Sequence, residues 1–313
     1  MKLSARTRLN RVARDSAKRV WHRGFLLLER AKIHVTPVHF YVGLPNVAEL
    51  ARNRAQWAKR SSLPGIAMDA DEQVGFLEKT CLPFEREYTG LSHYTAAAKK
   101  NGDFGYGEIE SEALHGIIRS IKPRRVIQIG CGLATHCMLS ASKLNETPTR
   151  ISCIEPYPND GLKSCSDIEL VPKPAQAVPP EYFDQLERDD ILFVDSSHVV
   201  QVGSDVNYLV LEILPRLAAG VIVHFHDIYL PYDYPRHFLD ELVFPLETSL
   251  VRAFMIDNPA VRVLACMSLL HYDRSDALRR IFPDYEPQES DEGLAIDGSG
   301  RHFPSSLWLQ MTG

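Results

Sequence analysis

Four short apolar runs constrain this chain more than any other feature: RRVIQIG (124–130), RISCIEP (150–156), DILFVDS (190–196) and GVIVHFHD (220–227). Each run is continuous rather than alternating, so the strand it predicts must be covered on both faces. The segments between them have helical spacing. Val206, Leu209, Val210, Ile213, Leu214 and Leu217 keep the i, i+3, i+4, i+7 rule, and Pro215 is expected to kink that helix or end it early. Strands alternating with helices predict an α/β fold, a doubly wound, Rossmann-like sheet. Further along, VRVLACMSLLHY (261–272) and SSLWLQ (305–310) read as two more strands, with an acidic, turn-rich loop over 284–300.

Ahead of the first strand, residues 66–123 look helical in pieces, interrupted by the turn-like KKNGDFGYGE. Pro37, Pro45 and the pair Pro64-Gly65 punctuate the segment before that. The expected organisation is a basic N-terminal helical extension over 1–65, then one domain over 66–313 with residues 66–123 as its helical cap. The net charge of −5 conceals a division of sign. Residues 1–33 carry ten Lys/Arg against Asp15 and Glu29, a net of +8, so the remainder stands at −13 (−5 less +8). Val20, Trp21, Phe25, Leu26 and Leu28 give this basic arm an apolar side. It reads either as a surface for a membrane or an acidic partner, or as a helix with a solvated basic face. With the rest of the chain acidic, there is no strong nucleic-acid signal.

Six cysteines (81, 131, 137, 153, 165 and 266) form no C-x-x-C pair, and several sit in apolar strand-like runs. They read as reduced thiols of a cytoplasmic protein. No run of about 18 apolar residues occurs, which argues against a transmembrane helix.

The chemistry gathers at the ends of the predicted strands. The first runs into GCGLATH, where Gly130, Cys131, Gly132 and Ala134 form a turn that lets a ligand approach the backbone. Glu155 ends the second strand, and an acidic residue there suits the two hydroxyls of a ribose. The third run ends in FVDSSH, with Asp195, Ser196 and His198, and the fourth in HFHD, with His226 and Asp227. Carboxyl ends of neighbouring strands face one crevice, so these groups should converge beside whatever the glycine turn holds. His224, one step deeper on the same strand face as His226, reads as a core histidine. Tyr229, Tyr232, Tyr234 and His237 beyond it would line an acceptor pocket or pack.

The series VIQIGCGLATHCML, ISCIEPYP, DILFVDSSH, LPRLAAGVIVHFHDIYLPYDYP and SLWL resembles the class I S-adenosylmethionine-dependent methyltransferases over roughly residues 90–310. It is similar in particular to a bacterial group with Asp-x-x-His after strand four and His-Asp after strand five. The resemblance implies a seven-stranded sheet whose last strand inserts antiparallel, with residues 66–313 as the methyltransferase domain. It places Gly130 and Gly132 under the methionine part of the cofactor and Glu155 on the ribose, with Pro156 and Tyr157 nearby. It suggests Phe104 and Tyr106 as a lid. Where the family usually has an acidic residue two before the first glycine, this chain has Gln128. After strand three it offers Gln176 and no carboxylate.

Metal-dependent, catechol-type members of that superfamily draw ligands from the ends of strands four and five. Asp195, His226 and Asp227 fall near those places and would suit Mg²⁺, Mn²⁺ or Zn²⁺. Without a metal, His198 or His226, with Asp227, would handle the acceptor's proton. The leading expectation is O-methylation of a small-molecule acceptor. A methyltransferase-fold binding module and a nicotinamide-dependent oxidoreductase are the alternatives, the latter weakened because Thr135 replaces the third glycine of G-x-G-x-x-G. Homo-oligomerisation is left open.

Overall fold

The four apolar runs form the centre of one seven-stranded sheet in the computed structural model. The structure describes residues 18, 20–39, 41–102, 105–234, 239, 244–287, 289–290, 293–294 and 303–313. It divides the chain into two units, Met1–Arg54 and Ala55–Gly313.

In the first unit a helix runs over 20–30. A shorter one, Val47–Arg52, is capped by Asn46, whose side chain accepts from the Glu49 N–H at 3.2 Å.

The second unit holds the sheet, with strands β1 (Arg125–Ile129), β2 (Arg150–Ile154), β3 (Glu169–Val171), β4 (Ile191–Val194), β5 (Ile222–Phe225), β6 (Val261–Cys266) and β7 (Leu307–Met311). Their order is 3-2-1-4-5-7-6. The first five pair in parallel, whereas β7 inserts antiparallel to both β5 and β6. Strands β4 and β5 are buried at every position, which is why their sequences show no alternation.

Apolar side chains on both faces complete the core. One face carries α1 (Ala70–Cys81), α2 (Ser92–Asn101), α3 (Glu108–Ile121) and α4 (Leu133–Ser142), which contribute Leu77, Leu114, Ile117 and Met138. The other carries Val206, Leu209, Val210, Ile213 and Leu214, all within 1% of full burial. Each such side chain contributes about 1.5–3 kcal/mol on burial. Helices α1 and α3 meet closely at Gly116, where an added Cβ would lie 2.7 Å from the Cys81 Cα.

Two expectations change in detail. The 206–217 segment is a helical turn (Asp205–Tyr208), then a π-turn (Leu209–Ile213), then a 3₁₀ turn (Leu214–Arg216) in which Pro215 ends the helix. The run 261–272 is strand only to Cys266, and Met267–Asp273 is helix α5. The second half lacks the β-branched residues of VRVLAC, and a buried helix shows the same apolar continuity as a strand. Of the predicted acidic loop, a short hairpin pairs Glu289–Ser290 with Gly293–Leu294.

Candidate active site

The turn after β1 is built by backbone demands. Gly130 has φ +72°, and a Cβ there would collide with the Asp195 carbonyl at the end of β4. Glycine alone satisfies both constraints. Gln128, fully buried on β1, braces the turn from below. Its amide N–H donates to the Gly130 carbonyl at 3.1 Å, and its oxygen accepts from the Thr135 hydroxyl at 2.8 Å. Thr135 in turn accepts from the Gly132 N–H at 3.2 Å, fixing the start of α4. Ala134 is buried in that helix.

Glu155 closes the neighbouring strand end. Its carboxylate accepts from the Cys131 N–H at 3.1 Å and from the Tyr157 N–H at 2.8 Å. Together these ends wall a cavity of about 490 Å³ lined by Gly130, Glu155, Pro156, Tyr157, Gln176, Asp195 and Ser196, among others. Gln176 reaches across it to donate to the Gly203 carbonyl at 3.1 Å, and Tyr157 is 88% exposed at its rim.

Beside this cavity lies a denser polar cluster. His198 and Asp227 both leave their strands in the left-handed region, at φ +58° and +56°. Non-glycine residues held there store strain, and such strain gathers at functional positions. His198 Nδ1 donates to the buried carboxylate of Glu247 at 2.7 Å. Its Nε2 faces Asp195 Oδ1 at 3.5 Å and Asp227 Oδ2 at 3.4 Å. His226 presents Nδ1 to Asp195 Oδ1 and Asp227 Oδ1, both at 3.5 Å, and Nε2 to Glu110 Oε1 at 3.2 Å. Neither nitrogen of His226 makes a hydrogen bond, although the side chain is nine-tenths buried.

The carboxylates are held from behind. Asp227 Oδ1 accepts from the Tyr229 and Ser305 hydroxyls at 3.1 Å each. Glu110, buried on α3, accepts from the Ser305 N–H at 2.9 Å and the Ser306 hydroxyl at 2.9 Å. Four carboxyl groups thus surround two imidazoles. Burial opposes a charge on His198, but its bonds to Asp195 and Glu247 and the charge of Asp227 outweigh that and hold its pKa well above the usual value. His226 is likewise raised against its burial, by Glu110, Asp227 and Asp195. Desolvation opposes the charge of the partly buried Asp227, yet His226 and His198 hold its carboxyl well below the ordinary range. The Glu247 carboxyl is raised, because burial exceeds what His198 restores.

Asp195, His198 and His226 each offer a donor atom, and the three atoms lie within 4.8 Å of one another. Two imidazoles and a carboxylate form a donor set for a divalent transition ion. The group includes His198, which the sequence suggested for proton transfer, whereas Asp227 sits beside it as a hydrogen-bonded neighbour. Glu110, Glu247, Ser305 and Ser306 escaped the sequence reading altogether, because each comes from an element distant in the chain. His224 is fully buried, stacked on Phe193 at 3.9 Å and bonded to Ser306 at 3.0 Å. Tyr106, read as a lid residue, is 2% exposed and packs on His226 at 4.9 Å. Phe104 and His237 lie outside the described residues.

Strands β1 to β5 with this sheet order and an antiparallel β7 form the class I methyltransferase arrangement. Residues 127–228, which span β1 to β5, match the family model described as a methyltransferase domain. Residues 127–228 thus carry a methyltransferase domain. No curated protein matches the chain. Among solved structures, the chain is similar to the O-methyltransferase TomG of Streptomyces achromogenes, involved in tomaymycin synthesis and solved with S-adenosylmethionine. The identity is 15% over 74% of this chain and 96% of that one, with a TM-score of 0.43. It is also similar to the O-methyltransferase of Bacillus cereus in complex with S-adenosylhomocysteine, at 10% identity over 75% and 100% of the two chains and a TM-score of 0.42. A third is the S-adenosylhomocysteine-bound methyltransferase PaMTH1 of Podospora anserina, at 14% identity over 89% and 100%, TM-score 0.37.

Proposed function

We propose that the chain is an S-adenosylmethionine-dependent methyltransferase that acts on a hydroxyl oxygen of a small-molecule acceptor, with a divalent ion held by Asp195, His198 and His226. The observation that carries this reading is the double membership of Asp195. It lines the cavity beside the glycine turn and is also one of the three clustered donors. Methyl transfer from a sulfonium is an in-line displacement that gains mainly from alignment and exclusion of water. A hydroxyl acceptor must in addition lose a proton, and a polar cluster adjoining the cofactor cavity serves that step.

The residues fit an ion in three respects. His226 has two buried nitrogens without hydrogen bonds. Both imidazoles have a carboxylate behind the nitrogen that faces away from the donor group, Glu247 for His198 and Glu110 for His226. For His198 the hydrogen bond to Glu247 fixes tautomer and orientation, as such partners do for metal-binding histidines, while Glu110 faces His226 Nε2 as a charge at 3.2 Å. Four carboxyl groups also leave the cluster short of positive charge. Two imidazoles favour Zn²⁺ or Mn²⁺ over Mg²⁺, which prefers oxygen. When bound, the ion would acidify the acceptor's hydroxyl. Glu247 keeps a proton on His198 Nδ1, so Nε2, once its own proton is displaced, is the atom that would meet the ion. Tyr229 and Ser305 hold Oδ1 of Asp227, which leaves Oδ2 turned toward His198. The six free cysteines suit a reducing compartment, the cytoplasm.

Calorimetry and thermal shift of the purified protein with S-adenosylhomocysteine, with NADH in parallel, test the cofactor. S-adenosylhomocysteine should stabilise the fold, and Glu155→Ala should weaken its binding about tenfold, as expected for loss of charged hydrogen bonds. A shift with NADH alone would favour the oxidoreductase alternative, and a shift with neither would favour the binding module. Elemental analysis tests the ion. Zinc or manganese should be present in the wild type and lost in His198→Ala, and equal metal content in the two proteins would remove the ion from the proposal.

A further inference from the structure

The helix over 20–30 carries a feature that methyl transfer does not use. At about 100° per residue, Val20, Trp21, Leu27 and Leu28 fall within an arc of about 120°. All four are exposed, at 72%, 53%, 66% and 38%. Phe25 extends this arc and stacks on His34 at 5.3 Å. Lys18, His22, Arg23, Glu29 and Arg30 occupy the rest of the circumference, where Leu26 is the apolar exception and Glu29 pairs with His34 at 3.4 Å. The same unit also exposes Ile33, Val35, Val38 and Tyr41 just after the helix.

Exposed apolar side chains in such a row mark a surface meant to be covered. An isolated helix of this length is marginal in water and gains its stability from what covers its apolar face. The charges select among candidate partners. Residues 1–33 carry a net of +8, so a second copy presenting the same arm would be repelled. A nucleic acid would satisfy the arginines but leave Val20, Leu27 and Leu28 in water. An anionic bilayer surface satisfies both sides. Its interface accepts Trp and aliphatic side chains, and its phosphates attract Lys and Arg within a Debye length of about 8–10 Å.

We infer that residues 20–39 form an interfacial helix and apolar tail that seat the protein on an anionic membrane surface, the helix lying in the interface plane without crossing it. No described helix is long and apolar enough to cross a membrane. Trp21, Leu27 and Leu28 enter the acyl boundary, while Lys18, Arg23 and Arg30 reach the headgroup phosphates. The inference does not depend on the identity of the acceptor or on the ion.

Flotation of the full-length protein with phosphatidylcholine vesicles, with and without phosphatidylglycerol, is the test. Strong retention is expected only with the anionic lipid, weakening as salt is raised, with a blue shift of tryptophan emission that Trp21→Ser removes. Arg23→Ala and Arg30→Ala should each lower retention about fivefold. Leu27→Glu should lower it at least about tenfold. S-adenosylhomocysteine binding, measured on every variant, should be unchanged, which separates a lost surface from a lost fold. Equal retention on neutral and anionic vesicles would overturn the inference, as would retention untouched by Leu27→Glu. Retention on RNA but not on vesicles would overturn it in favour of a nucleic-acid arm. Sedimentation as a dimer that Leu27→Glu dissociates, without vesicle binding, would do so in favour of self-association.

Discussion

The two halves of the crevice are built in opposite ways. The glycine turn after β1 is made almost entirely by near neighbours in the chain. Gln128, Gly130, Gly132 and Thr135 fall within eight residues, and Glu155 reaches them from the adjacent strand. What matters there is backbone, through a φ that glycine alone adopts easily and N–H groups aimed at a carboxylate. The histidine cluster is made by side chains from five separated segments, at 110, 195–198, 226–227, 247 and 305–306. One region holds its shape by local geometry and the other by long-range electrostatics, so they should fail differently when altered.

The largest effect is expected at the turn. Gly130→Val places a branched side chain at positive φ and against the Asp195 carbonyl. Strain and overpacking together should destabilise the domain by about 3 kcal/mol, with S-adenosylhomocysteine binding lost. Denaturant unfolding and calorimetry measure both. If Gly130→Val binds like the wild type, the turn is not the cofactor cradle.

A change at the cluster should spare binding. His198→Ala should lower methyl transfer about 10²–10⁴-fold, the range for removing a proton-handling group. S-adenosylhomocysteine affinity should stay within about threefold, because His198 does not line the cavity beside the glycine turn. An equal loss of affinity and rate would show that the two regions are one. A smaller effect belongs to Glu247, which acts through His198 as a positioning residue. Glu247→Gln should cost about 10–100-fold in metal retention or rate. Glu247→Asp should recover part of the metal retention, a recovery that a purely packing role would not produce.

The same contrast explains what the sequence made legible. Strands β1, β2, β4 and β5 fall inside the predicted runs, because continuous apolar stretches between helical segments have few other uses. The turn and Glu155 were visible from their spacing along the chain. Glu110 looked like one more carboxylate in the first turn of a helix, and Glu247 like another after Leu246. Nothing local distinguishes a buried charge from a solvated one, since its partner lies about a hundred residues away in one case and about fifty in the other. The run 261–272 misled for a different reason. Burial sets its composition, and burial is shared by β6 and the helix that follows.

Outside both regions, Glu112 on α3 provides a test that leaves the site itself untouched. The side chain is fully buried and neither oxygen makes a hydrogen bond. Burial first, and Asp284 next, push its pKa up from 4.5 to about 9. The folded protein therefore keeps a proton on Glu112 that the unfolded chain releases above about pH 4.5. Below that value both states are protonated and the group is neutral toward stability. Between pH 4.5 and 9 the unfolded state gains by ionising, so stability falls as pH rises. Glu112→Gln keeps the shape and removes the titration. Its melting temperature should match the wild type near pH 4.5 and exceed it at pH 8, by a margin that grows by up to about 1.4 kcal/mol for each pH unit above 4.5. Because Glu112 touches neither the cofactor cavity nor the histidine cluster, S-adenosylhomocysteine affinity should not change at either pH. A Glu112→Gln variant that loses stability at pH 8 would mean that Glu112 is ionised in the fold and held by a charge partner.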